Sequence, residues 1–251
     1  MFKSWRIGTF LGFPVEANVS FLFLLGLVFV AFGGVPGVLL VSLVFASVVL
    51  HELGHALVAR QLGVHVSGIE LSFFGGAAKM VQLPRTANHE LAIAAAGPAV
   101  SLALGGLGLG LAALTHVPLF AWLGYTNLVL AGFNLIPALP MDGGRILRAL
   151  LTRKMDFVRA TDVSVRVARV VAIAFGLYGL LGGAYQLLLL APFLWMMGTR
   201  EQMLARVMAD RYAYGRDGYV ERTPQWNAPR AQAPRRFTIV QRGGRLVIEE
   251  V

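Results

Sequence analysis

The 251-residue chain contains no cysteine, only 13 acidic residues and five histidines, and just 14% of it is charged. Without cysteine it can form neither a disulfide nor a thiolate metal site, so any metal must be held by His, Asp or Glu. So little charge, beside 57% hydrophobic residues and a mean hydropathy of +0.67, excludes an ordinary soluble globular domain. The net charge of +9 would suit a nucleic-acid partner, but the basic residues cluster next to apolar segments, as they do in cytoplasmic loops of membrane proteins. No nucleic-acid partner is expected.

What the chain has in abundance is apolar sequence. Six runs recur, at Val19 to Phe32, Val35 to Leu62, Leu91 to Leu114, Leu119 to Leu139, Val163 to Leu181 and Ala184 to Met197. Each is near the length a helix needs to cross a bilayer, so the expected fold class is an α-helical polytopic membrane protein of about six transmembrane helices. The first and last runs are short and suit half-membrane or tilted elements. Lys3 and Arg6 precede the first run, Arg60, Lys79 and Arg85 follow the second, Arg145, Arg148, Arg153, Lys154 and Arg159 follow the fourth, and Arg200 and Arg206 follow the last. The alternate connections, 33–37, 115–118 and 181–183, carry no Lys or Arg. Positive charge inside then puts both termini in the cytoplasm and the protein in a plasma or inner membrane. Lys3 and Arg6 also resemble the start of a signal peptide, but the apolar stretch begins late and GGVPG after it is no small-x-small cleavage site, so the first run is expected to remain as a span.

Residues 65–83, HVSGIELSFFGGAAKMVQL, alternate Val66, Ile69, Leu71 and Phe73 ahead of Gly75-Gly76, which predicts a small β-hairpin at the cytoplasmic membrane face. An edge strand there, around Phe73, Phe74, Gly75 and Gly76, could receive an extended substrate by main-chain hydrogen bonds. The composition shifts after Met197. The expected organisation is a membrane domain over 1–198, a surface amphipathic helix and connector over 199–222, and a Pro/Arg-rich linker with a small hairpin tail over 223–251. The tail strands FTIVQ and RLVIEE could also pair with the 66–82 hairpin and cover its entrance.

Within the second run lies HELGH, His51 to His55. Positions four apart share a helix face, so the two imidazoles can grip one zinc ion with Glu52 beside it as a base. Ionisable groups inside an apolar helix cost several kcal/mol unless paired or metal-bound, which argues against a packing role. A catalytic zinc takes three protein ligands and leaves a fourth position open. His116 falls on the opposite side of the membrane by the charge alternation; His65, His89 and Glu90 sit in loop or helix-start positions where solvated polar residues are ordinary. Asp142 remains. It follows NLIPALPM, where Pro137 and Pro140 interrupt the fourth span and Gly143-Gly144 allow an irregular turn, level with the cytoplasmic end of the second span.

Three segments, HELGHALVARQLGV, AAAGPAVSLALG at 94–105 and FNLIPALPMDGGRILRALL, resemble the signatures of the site-2 protease family of intramembrane zinc metalloproteases. The resemblance runs from about Gly8 to Met197 and points to the short branch, with no room for CBS or PDZ domains. It implies a zinc endopeptidase that cuts membrane-anchored, single-span substrates in or near the bilayer. It places one zinc on His51, His55 and Asp142, the catalytic glutamate at Glu52, and an asparagine that stabilises the reacting carbonyl at Asn134. Gly97 and Pro98 are expected to kink the third span, and Gly105, Gly106, Gly108 and Gly110 to let helices approach. The competing function is a transporter or metal-permeation path lined by His51, Glu52 and Asp142, although no repeated half with matched broken helices accompanies it.

Overall fold

The computed structural model describes residues 4–31, 34–73, 75–81, 84, 86–214, 237–242 and 245–250. Helices dominate: α1 (Val19–Ala31), α2 (Val35–Gln61), α3 (Ala87–Thr115), α4 (Pro118–Asn134), α5 (Asp142–Thr152), α6 (Phe157–Leu181) and α7 (Tyr185–Tyr214). Among the described residues, α2, α3 and α6 are long and apolar enough to cross a membrane. At 13 residues α1 is only about 20 Å long, against a hydrocarbon core of about 30 Å. Proline and caps decide where several helices begin and end. The Thr86 side chain accepts from the His89 amide, starting α3 a turn before its apolar run, and α4 stops at Asn134 ahead of Pro137. α7 runs without a break from Tyr185 through the charged residues at 200–206.

The β-structure is larger than a lone hairpin. β1 (Ser4–Phe10), β2 (Phe13–Asn18), β3 (Val66–Ser72) and β4 (Gly75–Met80) form one four-stranded sheet in that order. Leu11 and Gly12, both at positive φ, close the β1–β2 turn, and β2 pairs parallel with β3 through Val15 opposite Ile69. Phe13, Val15 and Ala17 are buried with Ile69 and Leu71 against Phe45, Leu53 and Ala56 of α2. The α1–α2 helix pair is thus the crossover between two parallel strands, and the sheet is fastened to the face of α2 that continues from HELGH. Lys79 bridges Glu16 at 3.1 Å and Glu70 at 2.7 Å, joining β2, β3 and β4. Hydrogen bonding to Lys79 holds the Glu70 carboxyl below its usual value and raises the Lys79 ammonium. β4 is the outer strand on the side facing the helices. β5 (Phe237–Arg242) and β6 (Arg245–Glu250) pair with each other in a separate two-stranded sheet, so they do not extend the 66–80 hairpin.

α3 is the central support, packing against α2, α4 and α5. Gly105 and Gly108 meet α4 at Leu128 and Gly124, whereas Gly106 and Gly110 face nothing within 4 Å, so only two of the four glycines serve a close approach. Glu90, expected to be solvated, is 2% exposed. The Arg148 guanidinium donates to its Oε1 at 2.6 and 2.8 Å and to Glu201 Oε2 at 3.0 Å, binding α5 to α3 and α7. This clamp fixes α5, whose first residue is Asp142. A Cβ on Gly143 would stand 2.2 Å from the Leu135 carbonyl oxygen, and one on Gly144 2.3 Å from the Leu139 nitrogen, so only glycine lets α5 start against the irregular 135–141 segment.

Candidate active site

His51 and His55 lie one turn apart on the α2 face turned to α3, 2% and 3% exposed, and Asp142 reaches them from the start of α5. His51 Nε2 and His55 Nε2 are 3.2 Å apart, and each is 3.1 Å from Asp142 Oδ2. Donors at about 2.0–2.1 Å from a tetrahedral zinc stand about 3.3–3.4 Å from one another, so this nearly equilateral triangle is close to the size such an ion requires. The protonation pattern agrees. The Ile93 carbonyl can only accept, so His55 Nδ1, 2.6 Å away, carries a hydrogen, and in the neutral ring this leaves the Nε2 lone pair for the triangle.

Gly97 completes the space. A Cβ there would lie 2.2 Å from His55 Nε2 and 2.6 Å from His51 Nε2, the volume a bound ion would fill. Gly97, expected at a helix kink, leaves a cradle beside the histidines. Glu52 offers a carboxylate within 4.8 Å of the two imidazole donors. Asp142 makes the tighter third corner, while Glu52 Oε2 accepts the Ala78 amide of β4 at 2.9 Å. Asp142 thus closes a triangle with the two imidazoles, while the Glu52 carboxylate is turned toward β4.

A cavity of about 200 Å³ opens beside the triangle, lined by Glu52, His55, Asn134, Asp142 and Arg145 and by Gly76, Ala77, Ala78 and Met80 of β4. Asn134, at the end of α4, uses its amide nitrogen to donate to Leu130 O at 3.0 Å, and that group carries a second N–H. Of the four residues expected to receive substrate, Gly76 lines the cavity. Phe73 lies at the turn, its amide donating to Ser20 Oγ, Gly75 begins β4, and Phe74 lies outside the described residues. Gly76 packs closely on α2, where a Cβ would come within 2.9 Å of Glu52 Cγ. His65 and His116 are exposed, the latter at the far end of α3.

A family model, peptidase family M50, matches residues 39–117 and 109–175, which include HELGH, the glycine–proline segment of α3 and the Asp142 segment. The chain belongs to peptidase family M50. A solved site-2 protease of Methanocaldococcus jannaschii superposes with a TM-score of 0.63 at 36% identity, covering 80% of this chain and 95% of that one. A zinc metalloprotease of the same organism is 36% identical over 212 residues, 81% of this chain and 62% of the relative. Stage IV sporulation protein FB of Bacillus subtilis is 25% identical over 185 residues, 70% of this chain and 64% of that protein. The chain therefore spans less than two thirds of either curated relative. The M50 assignment bears out the resemblance carried by the three motifs, and it gives no support to the ion-path alternative.

Sequence reasoning did not find the groups behind the histidines. Ile93 acts through a backbone carbonyl, which no side chain announces, and Ser101, whose Oγ is 2.9 Å from His51 Nδ1, looks like any small residue of an apolar helix. Arg145, beside Asp142 in the cavity wall, looks in the sequence like any other loop charge.

Proposed function

We propose that this protein is an intramembrane zinc endopeptidase that hydrolyses peptide bonds in or near the transmembrane segments of membrane-anchored substrates. One observation carries the reading: two imidazole nitrogens and one carboxylate oxygen converge within 3.2 Å inside an apolar helix bundle, with Glu52 at the edge of the same cavity. One zinc ion held by His51, His55 and Asp142 would supply Lewis acidity at the scissile carbonyl. Glu52 takes a proton from the attacking water and returns it to the leaving amine. Asn134 donates an N–H to the carbonyl oxygen as negative charge grows there. An extended substrate lies along β4, where the cavity wall is main chain and small side chains, because a helical substrate hides its peptide bonds until it unwinds. α1, α4 and α7 join the three long apolar helices to make six membrane elements, with both termini and the open side of the cavity in the cytoplasm.

The test is Glu52→Gln in the full chain, co-expressed with a single-span substrate. The variant is expected to retain zinc and lose cleavage. Cleavage that survived would remove Glu52 as the base, and zinc flux in proteoliposomes without any proteolysis would restore the transporter reading.

A further inference from the structure

The two histidines differ in what stands behind them, and the difference rests on α3. Ile93, Gly97 and Ser101 are spaced four residues apart, matching the spacing of His55 and His51 on the facing helix. Ile93 presents a carbonyl to His55 Nδ1 and Gly97 leaves the central space, while Ser101, 0% exposed, presents a hydroxyl to His51 Nδ1 at 2.9 Å. A carbonyl only accepts, so it holds His55 in one tautomer. A hydroxyl both donates and accepts.

We propose that Ser101 is a positioning residue that sets the tautomer of His51 and reverses its hydrogen bond between the metal-free and metal-bound protein. The proposal rests on the reading that His51, His55 and Asp142 hold the metal. With an ion in the triangle, His51 Nδ1 carries the ring hydrogen and donates it to Ser101 Oγ, leaving the Nε2 lone pair for the metal. Without an ion, three lone pairs 3.1 to 3.2 Å apart would face one another unrelieved. Ser101 then turns its own O–H toward Nδ1, and the single ring hydrogen resides on Nε2, where it is donated to Asp142 Oδ2. The imidazole stays neutral in both states; one hydrogen changes nitrogen, the serine hydrogen remains on Oγ, and no net proton is taken up or released by His51. In the empty form the single His51 Nε2–H is shared between Asp142 Oδ2 and the His55 Nε2 lone pair, and only the loaded form presents both Nε2 lone pairs to the ion.

The full chain in detergent, with zinc affinity measured by chelator competition, tests this. Ser101→Ala is expected to weaken zinc binding by about ten- to a hundredfold, and Ser101→Thr, which keeps the hydroxyl, to stay within roughly threefold of wild type. Ser47→Ala is the control, because Ser47 lies on α2, the helix that carries His51, and accepts a buried hydrogen bond from Asn127 at 3.0 Å. It is expected to bind zinc as wild type does. Nitrogen NMR of the wild-type rings gives a readout that needs no variant: His51 is expected to carry its hydrogen on Nε2 without metal and on Nδ1 with it, while His55 keeps Nδ1–H throughout. Zinc binding by Ser101→Ala at wild-type strength, an equal loss in Ser47→Ala, or an unchanged His51 tautomer would overturn the proposal while leaving the metal site standing. A wild-type chain that bound no zinc would overturn the metal site itself, and this inference with it.

Discussion

Alanine at position 97 sets two physical effects against each other. Gly97 lies inside α3, where replacing glycine by alanine ordinarily strengthens a helix by about 1 kcal/mol. The added methyl, however, would sit 2.2 Å from His55 Nε2 and 2.6 Å from His51 Nε2, while a zinc ion must approach those atoms to about 2.0–2.1 Å. Carbon and ion would claim the same volume. Relief requires α3 to withdraw from α2 by about 1 Å or both rings to leave their rotamers, a strain of roughly 1–3 kcal/mol that cancels the gain in helix propensity. The expected result is a folded protein of little-changed metal-free stability whose zinc affinity falls by more than about a hundredfold, beyond the usual cost of losing a group behind a ligand. Zinc at a hundred times its dissociation constant stabilises the wild type by about 2.7 kcal/mol, and Gly97→Ala should lose that increment. Thermal unfolding in detergent with and without zinc measures both effects. Gly106→Ala is the control, since it adds the same methyl on the same helix with nothing within 4 Å and should keep the full zinc response. An intact zinc response in Gly97→Ala would refute the assignment of that volume to the ion.

Two further outcomes follow from the parts that hold the site in place. Arg148→Met leaves Glu90 buried without its cation and should destabilise the protein by about 3–5 kcal/mol in thermal or denaturant unfolding; adding Glu90→Leu should recover part of the loss, because the remaining charge is then gone. Lys79→Met should cost no more than about 1 kcal/mol, since the pair it breaks with Glu70 is partly exposed and screened. The Glu70 carboxyl is depressed in the folded state, so its contribution is fully present above its unfolded value of 4.5 and fades as the pH falls below that; the difference between wild type and Lys79→Met should shrink from neutral pH toward pH 3.

The helices could be read from the sequence because long apolar runs between proline, glycine and charge leave few other structures in a membrane. The sheet was only half legible. Phe13, Val15 and Ala17 do alternate, and Leu11-Gly12 is a two-residue turn, but in a chain that is 57% hydrophobic such a pattern hardly rises above its background. Nothing local says that β2 joins β3, because that parallel pair closes across the whole α1–α2 helix pair. Likewise, Glu90 looks like a solvated helix-start residue in the sequence because its partner, Arg148, lies 58 positions further on and is itself held by Glu201 on α7.

The side chains that meet in the triangle are legible in the sequence for a different reason than the groups behind them. His, Glu and Asp are rare here, so their spacing carries information, and HELGH with Asp142 stands out in an apolar chain. Their supports are a carbonyl, a missing Cβ and a small hydroxyl, which resemble ordinary helix packing when each is taken alone. They share one regularity, a four-residue step through Ile93, Gly97 and Ser101. Two helices that pack along a common face must meet with matching periods, so a histidine pair at i and i+4 demands partners at the same step on the helix opposite. In a cysteine-free membrane protein with an HExxH helix, a stripe of that period on another span is therefore the place to seek the groups that orient the two imidazoles.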